Sequence, residues 1–180
     1  DVTISDLGGF VRTGWAINGL DIATTAAGLP AASTLLAASS TGDAIGVQLL
    51  TTSEVETALG IAVMAFTATG LTDGELESLQ SVTFAIADLN AGVLAEVNGR
   101  HILFDLDANG TGWSLGNNVD PDRYDLLTAV AHELGHVLGL EHSDTDNDVM
   151  SKTLEPGARH ETLGAIDNFF TSALELTPFE

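Results

Sequence analysis

Cysteine is missing altogether. That rules out disulfides, and any latency switch built on a cysteine, within this chain, and it says nothing of the redox compartment. Basic side chains are scarce: 5 Lys and Arg stand against 26 Asp and Glu, a formal charge of -21. Nucleic acid and anionic membrane surfaces would repel such a chain, so neither is expected as a partner. The acidity fits calcium-rich, saline or extracellular surroundings, but it is equally what a solvated surface provides, and it selects no substrate. No apolar run is long enough to cross a bilayer and no signal-peptide pattern stands at Asp1, so the chain reads as a processed or excised piece of something longer. What remains is enough for one ordinary domain: 180 residues, 44% of them hydrophobic.

Histidine is also rare, yet three of the five fall in one run, His132-Glu133-Leu134-Gly135-His136-Val137-Leu138-Gly139-Leu140-Glu141-His142. On a helix, His132 and His136 stand four apart and project from one face, so both rings reach the same metal ion. Gly139 falls one turn later, where a residue without Cβ takes a left-handed conformation, stops the helix and swings His142 back as a third ligand. Three nitrogens suit zinc and leave its fourth position open, the mark of a catalytic rather than a structural site. Zinc brings the pKa of its water toward about 7, and Glu133, next to the first ligand, is placed to take the water's proton and pass it to a leaving amine.

His132, Glu133, His136, Gly139 and His142 match the long zinc-binding consensus of the metzincin metallopeptidases, and the chain resembles that family. Met150, within Asp148-Val149-Met150-Ser151, stands where metzincins carry a methionine turn beneath the metal. Ser143 after the third histidine, and the run from there to Val149-Met150, resemble the matrixin branch, the matrix-metalloproteinase-related domains of bacterial type. Lys152 departs from the pattern: it stands two places after the methionine, where astacin-like and serralysin-like members often carry tyrosine and matrixins usually proline. Matrixins of the animal type hold a second, structural zinc, but His101 and His160 are the only further histidines here, so that second zinc is not expected. The loop from Ser151 to Arg159 corresponds, on this resemblance, to the outer wall of the primed-side pocket.

Elsewhere the pattern supplies secondary structure. Ser53 with Glu56 predicts a capping box opening a helix to Thr69, with Val55, Leu59, Ala62, Val63 and Phe66 on one face; Thr72 with Glu75 predicts a second, short one. Val82, Phe84 and Ile86 alternate as in a half-buried strand, and Asn98-Gly99 predicts a hairpin between 93–97 and 100–106, with both turn residues at positive φ. By order along the chain, the stretch containing Leu94, Ala95 and Glu96 is the antiparallel edge strand on which metzincins align an extended peptide. Asp105, Asp107 and Asn109 read either as the start of a calcium loop or as an ordinary Asp/Asn/Gly turn. An EF-hand is not matched, since Gly116 stands where it needs glutamate. Asp144, Asp146 and Asp148 carry the same two readings. Asp120-Pro121-Asp122 marks a turn and cap before a helix from Tyr124 that carries the ligands, and Leu163, Ile166, Phe169, Phe170 and Leu174 mark a last helix.

The expected whole is an α/β (α+β) zincin fold: a twisted mixed sheet, mostly parallel with an antiparallel edge strand, a backing helix, an active-site helix and a C-terminal helix. Residues 1–45 are expected as an N-terminal extension, either pro-segment or linker, in which an acidic residue such as Asp6 or Asp21 could occupy the zinc. Residues 46–180 are expected as the catalytic domain. The resemblance implies a zinc-dependent endopeptidase acting on protein or peptide substrates, secreted or at the cell surface, with calcium as a second ion and further modules in the parent chain. The rival reading is a noncatalytic, metal-stabilised binding or adhesion module.

Overall fold

A computed structural model of the chain describes residues 33–39, 47–145 and 147–160. The elements follow in the order β1 (Ser33–Ala37), α1 (Thr52–Ala68), α2 (Asp73–Gln80), β2 (Thr83–Ala87), β3 (Val93–Asn98), β4 (His101–Asp105), β5 (Trp113–Ser114), β6 (Tyr124–Asp125), α3 (Leu126–Val137) and β7 (Thr153–Leu154). Five strands form one sheet in the order β2-β4-β3-β1-β7, and β5 and β6 make a small parallel pair. Within the larger sheet β2/β4 and β1/β7 are parallel whereas β4/β3 and β3/β1 are antiparallel. The sheet is therefore mixed as expected, though not mostly parallel. The expected last helix, Asp6, Asp21 and Asp146 lie outside the described residues. Among the described residues no helix is long and apolar enough to cross a membrane.

The helix starts follow from side-chain chemistry. Thr72 and Glu75 form the predicted capping box of α2. For α1 the box is Thr51 with Glu54, two residues before the predicted Ser53 and Glu56. Both pairs satisfy the pattern; Leu50 decides between them, because it is buried and its amide bonds the Leu106 carbonyl at 2.8 Å, which fixes the chain just ahead of Thr51. The ligand-bearing helix α3 starts at Leu126, with Asp125 as its N-cap. Neither Asp120 nor Asp122 caps it, since Tyr124 and Asp125 are first drawn into β6 against Trp113 and Ser114.

Residues Leu126 to Gly135 of α3 are buried all round rather than along one stripe, because α1, α2, β1 and β3 all pack on this helix. The hairpin is present, but its two turn residues are Gly99 and Arg100, since Asn98 still pairs with His101. Of these only Gly99 has positive φ (63°), the pattern of a type II′ rather than a type I′ turn. On β2, Phe84, Ala85 and Ile86 are buried in succession instead of alternating.

One difference bears on the site. The strand containing Leu94, Ala95 and Glu96 is not an edge, because β1 pairs along its free side, Ser33 opposite Val97 and Leu35 opposite Ala95. Ser33–Ala37, expected within the N-terminal extension, thus belong to the sheet. They escaped sequence reading because Ser-Thr-Leu-Leu-Ala has no period of its own, and its extended form comes from neighbours far along the chain.

Candidate metal centre

The helix α3 ends in a motif that builds the site. Gly139 adopts φ 85°; its amide bonds the His136 carbonyl and the Leu140 amide reaches back to the Gly135 carbonyl, each at 2.9 Å. This is the paired bonding of a Schellman cap, which needs a left-handed residue at the position after the last helical turn. The chain so reversed brings His142 to the other two rings: His136 Nε2 lies 3.0 Å from His132 Nε2 and 3.2 Å from His142 Nε2. Among the described residues these three form the one group of His, Cys, Asp or Glu side chains close enough to share a metal ion.

Hydrogen bonding fixes which nitrogens face inward. His132 Nδ1 is 2.7 Å from the Val149 carbonyl and His136 Nδ1 is 2.8 Å from that of Leu140. A carbonyl only accepts, so both rings carry their proton on Nδ1 and present a bare Nε2 lone pair. Two such lone pairs 3.0 Å apart repel unless a cation lies between them. Zinc with bonds of about 2.0–2.1 Å in a tetrahedral site holds its nitrogens roughly 3.3–3.4 Å apart, close to what these rings adopt. Burial favours the same form: desolvation, with the neighbouring histidines, lowers the His132 pKa to about 3, and desolvation also lowers that of His136. Neutral imidazole is the state that binds metal.

The loop after the helix floors the site. Met150 is buried with its sulfur against Gly135, where a Cβ would stand 2.4 Å from Sδ. Asp148 shapes this turn, accepting the Met150 amide on Oδ1 at 2.7 Å and the Ser151 amide on its carbonyl at 2.9 Å. The Val149 carbonyl, held between them, orients His132. Lys152 pairs with exposed Asp144, at 3.7 Å.

Glu133 is wholly buried, and neither carboxylate oxygen completes a hydrogen bond among the described residues. Burial raises its pKa well above the usual carboxylate range; the backbone of Leu35 works against this, and the charge of Glu96 adds to the rise. Leu94 and Ala95 are buried in β3 alongside α3, while Glu96 is half-buried.

The remaining sequence-derived candidates lie elsewhere. Asp105 accepts amides from Leu89, Asp107 and Asn109; Asp107 accepts that of Gly110, and Asn109 that of Gly92. Their oxygens are thus engaged in holding a turn, in which Ala108 and Asn109 have positive φ. His101 sits beside Thr83 on the far strands.

Three contributors escaped sequence reading. Asp125, wholly buried, accepts Thr128 N and Oγ1, and also takes a two-pronged bond from Arg159 through Nε at 2.9 Å and Nη2 at 2.7 Å. His160 is buried behind the site, its amide on Thr128 Oγ1 at 3.1 Å and its Nδ1 donating to the Asp148 carbonyl at 2.9 Å. Arg159-His160, one of two Arg-His pairs in a chain with only 5 Lys and Arg, was the available signal.

Comparison with known proteins follows the same lines. Residues 73–168 match the family described as Matrixin. A stretch of 48 residues, 27% of this chain, is 46% identical to Stromelysin-3 of Xenopus laevis and covers 9% of that protein. Another of 73 residues, 35% of this chain, is 37% identical to Karilysin of Tannerella forsythia and covers 14% of it. The chain therefore matches only a small part of the length of either relative.

Proposed function

The chain belongs to the matrixin family of zinc-dependent metallopeptidases, and from that premise we propose that it is an endopeptidase in which His132, His136 and His142 hold the zinc and Glu133 is the general base and acid. The observation that carries this reading is the convergence of the His132 and His136 Nε2 atoms at 3.0 Å with both Nδ1 protons committed to carbonyls. Zinc in such a site supplies Lewis acidity to a water and to the scissile carbonyl. The rest is the work of the chain. Glu133, wholly buried and without a hydrogen-bond partner among the described residues, takes the water's proton and returns it to the leaving nitrogen. The β3 stretch of Leu94, Ala95 and Glu96, on which metzincins align an extended peptide, is paired here with β1, so strand addition at β3 requires β1 to leave it. Met150 packs against α3 at Gly135, in the same turn whose Val149 carbonyl holds His132.

The proposal includes residues 46–180 as the catalytic domain, residues 1–45 as an extension of it, and a place within a longer multimodular chain, secreted or at the cell surface, that acts on extracellular proteins. Its support is the family likeness, together with a net charge of -21 that suits such surroundings. Calcium enters it only as one of the two readings of Asp105, Asp107 and Asn109, whose side-chain oxygens accept backbone amides of Leu89, Asp107, Asn109, Gly110 and Gly92.

The test compares Glu133→Gln with the parent on casein, gelatin and a peptide library, at equal zinc content. The parent is expected to cleave and the variant to lose at least a hundredfold in rate, in line with the loss of a general base. A zinc-loaded parent that cleaves nothing overturns the peptidase reading in favour of a noncatalytic binding module.

A further inference from the structure

The turn 148–151 places two of the three histidines. Its Val149 carbonyl accepts His132 Nδ1 at 2.7 Å, and its Met150 carbonyl accepts the Ser143 amide at 2.8 Å, which fixes the chain immediately after His142. His136 is held separately, by the Leu140 carbonyl at 2.8 Å. Within itself the turn is closed by Asp148, whose Oδ1 accepts the Met150 amide and whose carbonyl accepts the Ser151 amide. Those bonds set its shape, but not where it sits against α3.

Among the described residues two hydrogen-bonded links join the turn to α3. One is the His132 bond itself. The other runs through His160, whose Nδ1 donates to the Asp148 carbonyl at 2.9 Å and whose amide donates to Thr128 Oγ1 at 3.1 Å. Thr128 and His132 stand four apart on α3, hence on one face, and the carbonyls they reach belong to consecutive residues. The two links therefore run side by side, one helical turn apart. Thr128 Oγ1 spends its own proton on Asp125 at 2.7 Å, which directs its lone pair, and Arg159 forks onto the same carboxylate from the residue before His160. His160 and Thr128 are 6% and 2% exposed, which keeps water from both bonds.

We propose that His160 is a positioning residue of the metal centre: it holds the turn against α3, so that the Val149 carbonyl stands where it must to aim the His132 lone pair. This rests on the histidine triad being a zinc site, as in the reading above. A carbonyl that binds the far nitrogen of a metal ligand fixes its tautomer and raises its basicity, and losing such support typically weakens metal binding about 10–100-fold. Without His160, the ring of His132 would have to anchor the turn that now anchors it.

Two nearly isosteric replacements isolate the bond. Asn carries its amide nitrogen at the place of Nδ1 and still donates to Asp148, whereas Leu has the same branching and no donor. Zinc affinity of the full chain is measured by competition with a chromophoric chelator. His160→Leu is expected to bind zinc about 10–100-fold more weakly, and His160→Asn to stay within about threefold of the parent. Ile102→Ala, a buried change on β4, which β3 and β1 separate from β7, is the control: it lowers the urea midpoint and leaves zinc affinity as it was. Should His160→Leu not fold, Thr128→Val removes the other end of the link and is expected to weaken zinc in the same sense.

The second readout is the Nδ1 proton of His132 in the zinc-loaded protein, followed by NMR. Its exchange with water is expected to speed at least about tenfold in His160→Leu and to recover in His160→Asn, while the Nδ1 proton of His136, held outside the turn, keeps its rate. Unchanged zinc affinity or unchanged His132 exchange in the folded variant, a loss that His160→Asn does not recover, or an equal loss in Ile102→Ala overturns the proposal and leaves the zinc site standing. A parent chain that takes up no zinc ends both.

Discussion

Replacing Arg159 with alanine is expected to be among the most damaging single changes outside the histidine cluster. Asp125 is fully buried and holds the start of α3 through Thr128, seven residues before the first metal-binding histidine. Its charge is met by Arg159, whose side chain is 20% exposed, through Nε and Nη2 at 2.9 and 2.7 Å. At an effective dielectric of about 20, a contact of 2.7 Å is worth roughly 6 kcal/mol before desolvation is subtracted. Much of that is offset by the cost of burying both ions, but removing one partner leaves the other uncompensated, which typically costs about 3–5 kcal/mol. The Gly116 carbonyl also loses its bond from Nη2, at 2.8 Å. Set against a net stability of about 5–15 kcal/mol for an ordinary domain, this is a large fraction. Urea unfolding at pH 7.5 and saturating zinc reads it directly, and in a parallel thermal melt the midpoint is expected to fall by on the order of 10 °C. Lys152→Ala, which breaks an exposed pair with Asp144, is the control and should stay within about 0.5 kcal/mol. Arg159→Lys keeps the charge without the fork, and should recover only part of the loss. If Arg159→Ala costs less than about 1 kcal/mol, the pair does not anchor α3 and the reasoning fails.

Three further outcomes follow from the geometry. Gly135→Ala gains about 1 kcal/mol in helix propensity but sets a methyl 2.4 Å from Met150 Sδ. With overpacking at about 1–3 kcal/mol, a net loss near 1 kcal/mol and weaker zinc binding are expected, both eased by adding Met150→Ala; a plain gain in stability would refute the contact. Gly139→Ala meets no neighbour, yet puts a Cβ on a residue at φ 85°, so it should cost about 1–2 kcal/mol and loosen His142, read by urea unfolding and zinc affinity. Last, burial lowers the folded-state pKa of His132, His136 and His160, so the unfolded metal-free chain binds protons first as the medium acidifies. Stability of the metal-free protein is therefore fully present above about pH 6.5 and is lost progressively below it, toward about 3 for His132. His160→Gln should shrink the drop in urea midpoint between pH 7.5 and 5.5, and an unchanged drop would speak against a buried neutral His160.

The parts of the molecule legible from sequence are those whose cause is local. Four-residue spacing aligns His132 with His136, a glycine releases the helix end, and a threonine with a glutamate three residues on starts α2. What was missed is joined across the chain. Arg159 meets Asp125 from 34 residues away, and that meeting makes Asp125, not Asp120 or Asp122, the cap of α3. Ser33–Ala37 carries no pattern and becomes a strand only because β3 and β7 flank it. Its arrival also turns β3 from an edge into an interior strand. The first helix shows the intermediate case: two overlapping capping boxes fit the sequence equally, and the long-range bond from Leu50 to Leu106 selects the earlier one.

The claim on which the account turns is that three neutral imidazoles share one cation while Glu133 stays outside its coordination. Metal content after zinc loading and dialysis measures this most directly. One zinc per chain is expected for the parent and for Glu133→Gln, and close to none when His132, His136 and His142 are together changed to alanine. Zinc retained in the triple variant, or lost in Glu133→Gln, would contradict it.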